Sequence, residues 1–258
     1  MQVERIGLRL ASLRQPLKQA LHTAGTAGVC GVEVDARSEV RPAEMSRTAI
    51  RQLRKLLDDL RLRVCAIAFP TRRGYAAPED LDRRVAATQE AMRLTHDLGA
   101  RDVVLSVGSV PPQESEAYAR LLDVLTALAG YSDRVGVRLA LLTERENAAD
   151  LSRLLQELPE GACGMALHPA TLVRLEGSSP QWAENLARYV SYVYAADAVR
   201  ESVGGEREME LGRGSADIPH LLGTLEGFDY QGWVTIDRRE SALSPEAAQN
   251  AVEYLSSL

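Results

Sequence analysis

The sequence is poor in the side chains that most enzymes use for catalysis. Of its 30 basic residues only Lys18 and Lys55 are lysines, and both fall in helical patterns near the N-terminus (PLKQAL and LRKLLDD). Schiff-base or pyridoxal-phosphate chemistry needs a lysine projecting into a pocket, so neither lysine suits it. There are four histidines, His22, His96, His168 and His220, and any histidine-dependent site must draw on that set. The three cysteines, Cys30, Cys65 and Cys163, are odd in number and far apart, which fits neither a disulfide framework nor a zinc site. Each sits in an apolar stretch (GVCGV, RVCAIAF, GACGMAL), so buried free thiols and a cytoplasmic location are expected. No apolar run approaches the ~18 residues of a membrane span, and MQVERIGLRL carries no apolar signal-peptide core. A net charge of −6 argues against a nucleic-acid partner, since such domains are usually basic.

What is present is the composition of a folded protein, 45% hydrophobic and 26% charged over 258 residues. A single α/β barrel takes about 250 residues. Short apolar β-branched runs alternate with patterns of helical period. The runs lie at 3–10, 31–36, 62–69, 101–108, 136–142, 164–168, 189–196 and 232–237. Helices are expected near 14–27, 46–60, 79–98, 114–129, 147–157, 180–188, 216–226 and 245–257. Ser244 is placed as N-cap before Pro245, and Gly99 as the stop after Leu98. Eight strand–helix repeats are the count of a (β/α)8 TIM barrel. The rival, an open doubly wound sheet, calls for GxGxxG after the first strand, where ASLRQPL stands instead. Leu139, Leu141, Val193 and Ile236 are expected in the core or barrel wall.

A barrel's site lies at the C-terminal strand ends. Those ends bring Ser12 and Arg14, Asp35, Arg72 and Arg73, Ser106, Glu144 and Glu146, His168, Tyr194, Asp197 and Arg200, and Asp237-Arg238-Arg239 to one face. His168 is the one histidine at a strand end, either a pocket residue or a satisfied structural one. Asp237 ends a strand rather than opening a turn, which favours the pocket. Glu144 and Glu146 fit the acidic first turn of a helix. Asp197 reads equally as a loop cap, and Tyr194 as core or pocket wall. Arg213, between glycines in LGRGSADIP, suits bidentate anion binding or a plain turn.

GVEVDA, DLGARDVV, GVRLAL, LHPATL, VYAADAVR, LGRGSADIPHLLGTLEGFDYQGW and the final TID together resemble the xylose isomerase-like TIM barrels, over nearly the whole chain. That superfamily includes sugar and sugar-phosphate isomerases and epimerases and endonuclease IV-type enzymes. The resemblance implies one barrel domain over 1–258 and a divalent metal at the mouth, held by carboxylates ending strands five, six and eight and a histidine ending strand seven. Carried onto this chain, those four positions fall on Leu142, His168, Asp237 and Tyr194. Thr171, Tyr192 and Ala196 replace a histidine, a histidine and a lysine of the family pattern. Asp197, Arg200 and Arg213 keep it.

The resemblance therefore implies a metal-free relative. The favoured reading is a noncatalytic barrel that binds a small polar or anionic molecule, such as a sugar or sugar phosphate, with no cofactor and no metal. Arg200, Arg213, Tyr194, Asp197 and Glu144 are its candidate binding residues. The alternatives are a metal-independent isomerase or epimerase with His168 and Asp237 as acid and base, and a residual-metal enzyme using Glu144, His168 and Asp237. Endonuclease-like action would need more histidines than the chain has. Pairing of copies is common among such barrels and is left open.

Overall fold

The alternation of apolar runs and helical patterns folds as a closed ring of parallel strands. The computed structural model describes residues 3–142, 148–176, 186–201 and 205–258. The barrel strands are Ile6–Arg9 (β1), Gly31–Asp35 (β2), Arg63–Phe69 (β3), Asp102–Ser106 (β4), Arg138–Leu142 (β5), Cys163–Leu167 (β6), Val190–Ala195 (β7) and Val234–Ile236 (β10). Their order around the ring is β1-β10-β7-β6-β5-β4-β3-β2, and the chain forms a (β/α)8 TIM barrel. Seven of the eight lie within the runs read from the sequence, and β6 begins one residue before its run, at Cys163.

Strand alternation sorts the apolar side chains into two sets. Leu139, Leu141, Val193 and Ile236 are buried in the large core cluster that includes residues of the surrounding helices. Their neighbours Val104, Ala140, Leu142, Ala166, Tyr192 and Tyr194 form a second cluster with Cys65 and Ala66, and Trp233 packs against it. Gly31 admits the Trp233 ring, because a Cβ there would sit 2.4 Å from it.

The described helices are Leu17–Ala27 (α1), Arg47–Asp59 (α2), Leu81–Asp97 (α3), Glu116–Val135 (α4), Ala148–Glu157 (α5), Pro169–Glu176 (α6), Ile218–Glu226 (α7) and Pro245–Ser256 (α8). Ser244 caps α8 by accepting the Ala247 N–H, with Pro245 in the first turn. Gly99 follows α3 at φ +75°. α4 runs past the expected end at 129, because Gly130 is tolerated while Ser132 is buried beyond it. The helix stops instead at left-handed Gly136. α6 was not expected, although Pro169 is a usual first helical residue. The helix expected at 180–188 lies largely outside the described residues, and Ala187–Tyr189 forms a 3-10 turn. A second departure is the antiparallel hairpin of Asp197–Arg200 (β8) and Glu206–Met209 (β9), which stands apart from the barrel sheet. All three cysteines are free; Cys65 is buried, but Cys30 is exposed and Cys163 only partly covered, so the expectation of three buried thiols holds for one.

Candidate functional site

At the C-terminal end of the barrel β1 and β10 bring charged side chains together. Asp237, just past β10, is buried. Its Oδ1 accepts hydrogen bonds from Arg9 Nη1 at 3.1 Å and Ser12 Oγ at 3.0 Å. Its Oδ2 accepts from Arg239 Nε at 2.8 Å and lies 3.3 Å from His168 Nε2. Burial alone would raise the Asp237 carboxyl, but the His168 hydrogen bond and the Arg9 and Arg239 charges outweigh it and hold the group well below the usual carboxylate range. His168 Nδ1 accepts from the Thr171 backbone N–H at 3.3 Å, which places the ring proton on Nε2, toward Asp237. Burial and the Arg239 charge bring His168 down to about 4, so the ring is neutral at pH 7.

Beneath Arg9 lies Glu33, in the middle of β2 and fully buried. Arg9 Nε sits 3.1 Å from Glu33 Oε1. Neither Glu33 oxygen has a hydrogen-bond partner of good geometry among the described residues. Burial pushes this carboxyl up to about 7, against the pull of Arg9.

Above this network opens a cavity of about 320 Å³ at the barrel mouth. One wall carries four guanidiniums, Arg9, Arg14, Arg238 and Arg239. Ala11 lies beside them after β1; the ends of β3, β4 and β5 contribute Ala68, Pro70, Val104 and Leu142, and Ser106 and Tyr194 supply hydroxyls. Arg14 Nη2 donates to the carbonyls of Arg239 and Glu240. Arg238 Nε is buried without a hydrogen-bond partner among the described residues.

The residues singled out from the sequence distribute unevenly over this geometry. His168, Tyr194 and Asp237 come together: the His168 and Tyr194 ring centroids are 5.4 Å apart. Tyr194 lines the cavity, whereas His168 and Asp237 are not among its lining residues. Asp197 is buried and accepts the backbone N–H groups of Ala198, Gly212, Gly214 and Ala216 at 2.8–3.0 Å. Its carboxylate thereby folds the LGRGSA loop, and a Cβ at Gly214 would lie 2.1 Å from it. Arg213, at that loop's tip, has a side chain 75% exposed and pairs with Glu210. It lines a different cavity, of about 460 Å³, against α8. Arg200 ends β8 and is exposed, whereas Asp197 and Ala198 at the start of that strand are buried. Glu144 and Glu146 lie outside the described residues. Sequence reasoning missed Arg9 and Glu33. An acid flanked by two valines, inside the run GVEVDA rather than at its end, was the available signal for Glu33. Arg14, Arg238 and Arg239 were legible as strand-end residues, but nothing set them apart in a chain so rich in arginine.

A family model described as xylose isomerase-like TIM barrel matches residues 21–258. The chain belongs to that family. Its solved structural relatives share the fold at low identity. A xylose isomerase domain protein from Planctomyces limnophilus superimposes with a TM-score of 0.86 at 23% identity, covering 98% of this chain and 96% of that one. D-allulose 3-epimerase from Methylomonas sp., in complex with D-allulose, gives 0.78 at 15% identity, with 100% and 98% covered. A xylose isomerase-like TIM barrel protein from Mycobacterium smegmatis, in complex with magnesium, gives 0.78 at 16% identity, with 93% and 87% covered. No curated protein matches the sequence. In this xylose isomerase-like barrel no group of three or more His, Cys, Asp or Glu side chains is placed to hold a metal ion among the described residues. No helix among them is long and apolar enough to cross a membrane.

Proposed function

We propose that this xylose isomerase-like barrel binds a small anionic molecule at its mouth, without a metal and without catalysing a reaction. The observation that carries the reading is the presence of four arginines, Arg9, Arg14, Arg238 and Arg239, on the lining of one cavity. Guanidinium groups donate in a planar fork that suits phosphate and carboxylate, and barrels commonly hold anions at this end.

The residues present do not fit the divalent metal of the family. Magnesium and manganese need hard oxygen ligands in near-octahedral array. Here Leu142 offers hydrocarbon, Tyr194 a phenol whose proton burial holds well above its usual range, and His168 one nitrogen already occupied by Thr171. The remaining carboxylate, Asp237, has both oxygens within 3.3 Å of a cationic or N–H donor. An acid–base role for His168 and Asp237 is disfavoured by the same contacts. The histidine proton already points at Asp237, and the carboxylate holds its charge far below neutral pH. Three free cysteines fit a reducing compartment, and a cytoplasmic location is part of this reading.

Inorganic phosphate or sulfate should raise the melting temperature by mass action, by several degrees at about 100 times Kd. An Arg14→Ala/Arg238→Ala double variant should lose that shift. An Arg200→Ala/Arg213→Ala double variant should keep it; loss in that variant instead would move the anion to the loop after β7. Elemental analysis of protein purified without added salts should find far less than one equivalent of Mn, Mg, Co or Zn, and EDTA should leave the melting temperature unchanged. A stoichiometric metal would overturn the metal-free reading.

A further inference from the structure

The family relatives of known ligand include a complex with a free sugar, yet the described lining of this mouth favours other chemistry. A sugar hydroxyl needs an acceptor for its proton as well as a donor for its oxygen. Arginine offers donors and no acceptor. Among the described residues no carboxylate or carboxamide lines the mouth cavity, and the wall facing the guanidiniums is hydrocarbon, from Ala68 and Pro70 through Val104 to Leu142. Ser106 and Tyr194 are the hydroxyls on the lining, and Tyr194 is 1% exposed. A polyol seated against that hydrocarbon would leave the O–H groups that face it without an acceptor, and each such loss weakens binding on the order of tenfold.

We infer that the ligand of this mouth is an anionic head on an apolar body, an aryl or alkyl phosphate or carboxylate, rather than a sugar phosphate. The inference rests on the anion-binding reading above and adds the chemistry of the rest of the molecule. The head sits against Arg14 and Arg238, the two guanidiniums with no carboxylate at ion-pair distance among the described residues. Arg9 and Arg239 are already committed to Asp237 at 3.1 and 2.8 Å. The body lies on Val104, Leu142 and Pro70. Burying a ring of that size against hydrocarbon strengthens binding by about tenfold or more.

Isothermal titration separates the two levels. Inorganic phosphate measures the head alone, phenyl phosphate adds an apolar body, and ribose 5-phosphate adds a polyol. Acetate and benzoate repeat the comparison with a carboxylate head and decide which head is preferred. Phenyl phosphate is expected to bind at least about tenfold tighter than inorganic phosphate, and ribose 5-phosphate no tighter than inorganic phosphate. Leu142→Asn should remove the phenyl advantage and leave inorganic phosphate binding intact; if that variant fails to fold, Leu142→Ala should reduce the same advantage. Arg14→Ala/Arg238→Ala should weaken all the anions together. Ribose 5-phosphate gaining as much as phenyl phosphate would overturn this inference and leave anion binding standing. Absence of binding by every anion would overturn both.

Discussion

Asp237→Ala is expected to destabilise the protein by about 3–5 kcal/mol, the cost of removing one partner from a buried charge network. The substitution leaves Arg9 and Arg239 with no carboxylate where Asp237 now stands, and removes the acceptor for Ser12 Oγ and His168 Nε2. Arg9 would retain Glu33, but Arg239 would lose the ion pair that orients it over the Tyr194 ring. For a chain of this length the melting temperature should fall on the order of 10 °C. Asp237→Asn is the informative companion. It keeps the size and one acceptor but not the charge, so its loss should be smaller than that of alanine and still well above a surface substitution. Urea denaturation of the three proteins measures both steps. A loss under about 1 kcal/mol for Asp237→Ala would mean that the guanidiniums reach water once released, which the partial exposure of the Arg9 and Arg239 side chains, 20% and 30%, would permit.

The barrel was legible because its evidence is local and repeated. Each β-branched run has the length of a strand, and the helical patterns between them set the count. The hairpin β8–β9 was not, because VYAADAVR reads as one continuous run. What ends the barrel strand at Ala195 is the turn of Asp197 toward the amides of Gly212, Gly214 and Ala216, contacts 15–19 residues away in sequence. The site was legible only in part for the same reason. Family spacing pointed to His168, Tyr194 and Asp237, which do converge. The partners that set their charge states, Arg9 and Glu33, sit some 200 residues from Asp237, and no local pattern couples an arginine at one end of the chain to an aspartate at the other. Arg213 kept the family spacing, but its placement depends on how a loop folds around Asp197 rather than on its own neighbours.

Glu33→Gln should change the pH dependence of stability strongly. In the folded protein burial raises the Glu33 carboxyl from 4.5 to about 7. The folded state therefore holds the proton more tightly than the unfolded chain does. For a group raised in this way, its stabilising contribution is complete below pH 4.5 and is lost as the pH rises through 7. Glu39 is also raised to about 7 and works in the same direction, while His168, lowered to about 4, works in the opposite one. Both are present in the wild type and the variant, so the difference between the two proteins reports Glu33 together with its repulsion of Glu39. Glutamine has no proton to lose. The stability of the wild type relative to Glu33→Gln should fall between pH 4.5 and pH 7.5 by an amount on the order of 3 kcal/mol, the linkage equivalent of that displacement for a fully buried group. Above pH 7.5 the variant is expected to be as stable as the wild type or more so, because it no longer buries a carboxylate charge, and Arg9 keeps Asp237 as its partner. Urea midpoints measured at half-unit intervals of pH test this directly. A difference that stays constant across the range would mean that Arg9, 3.1 Å away, keeps Glu33 ionised even at pH 5. The interior would then be a permanent four-member charge network rather than one that gains a proton as the solution becomes acidic.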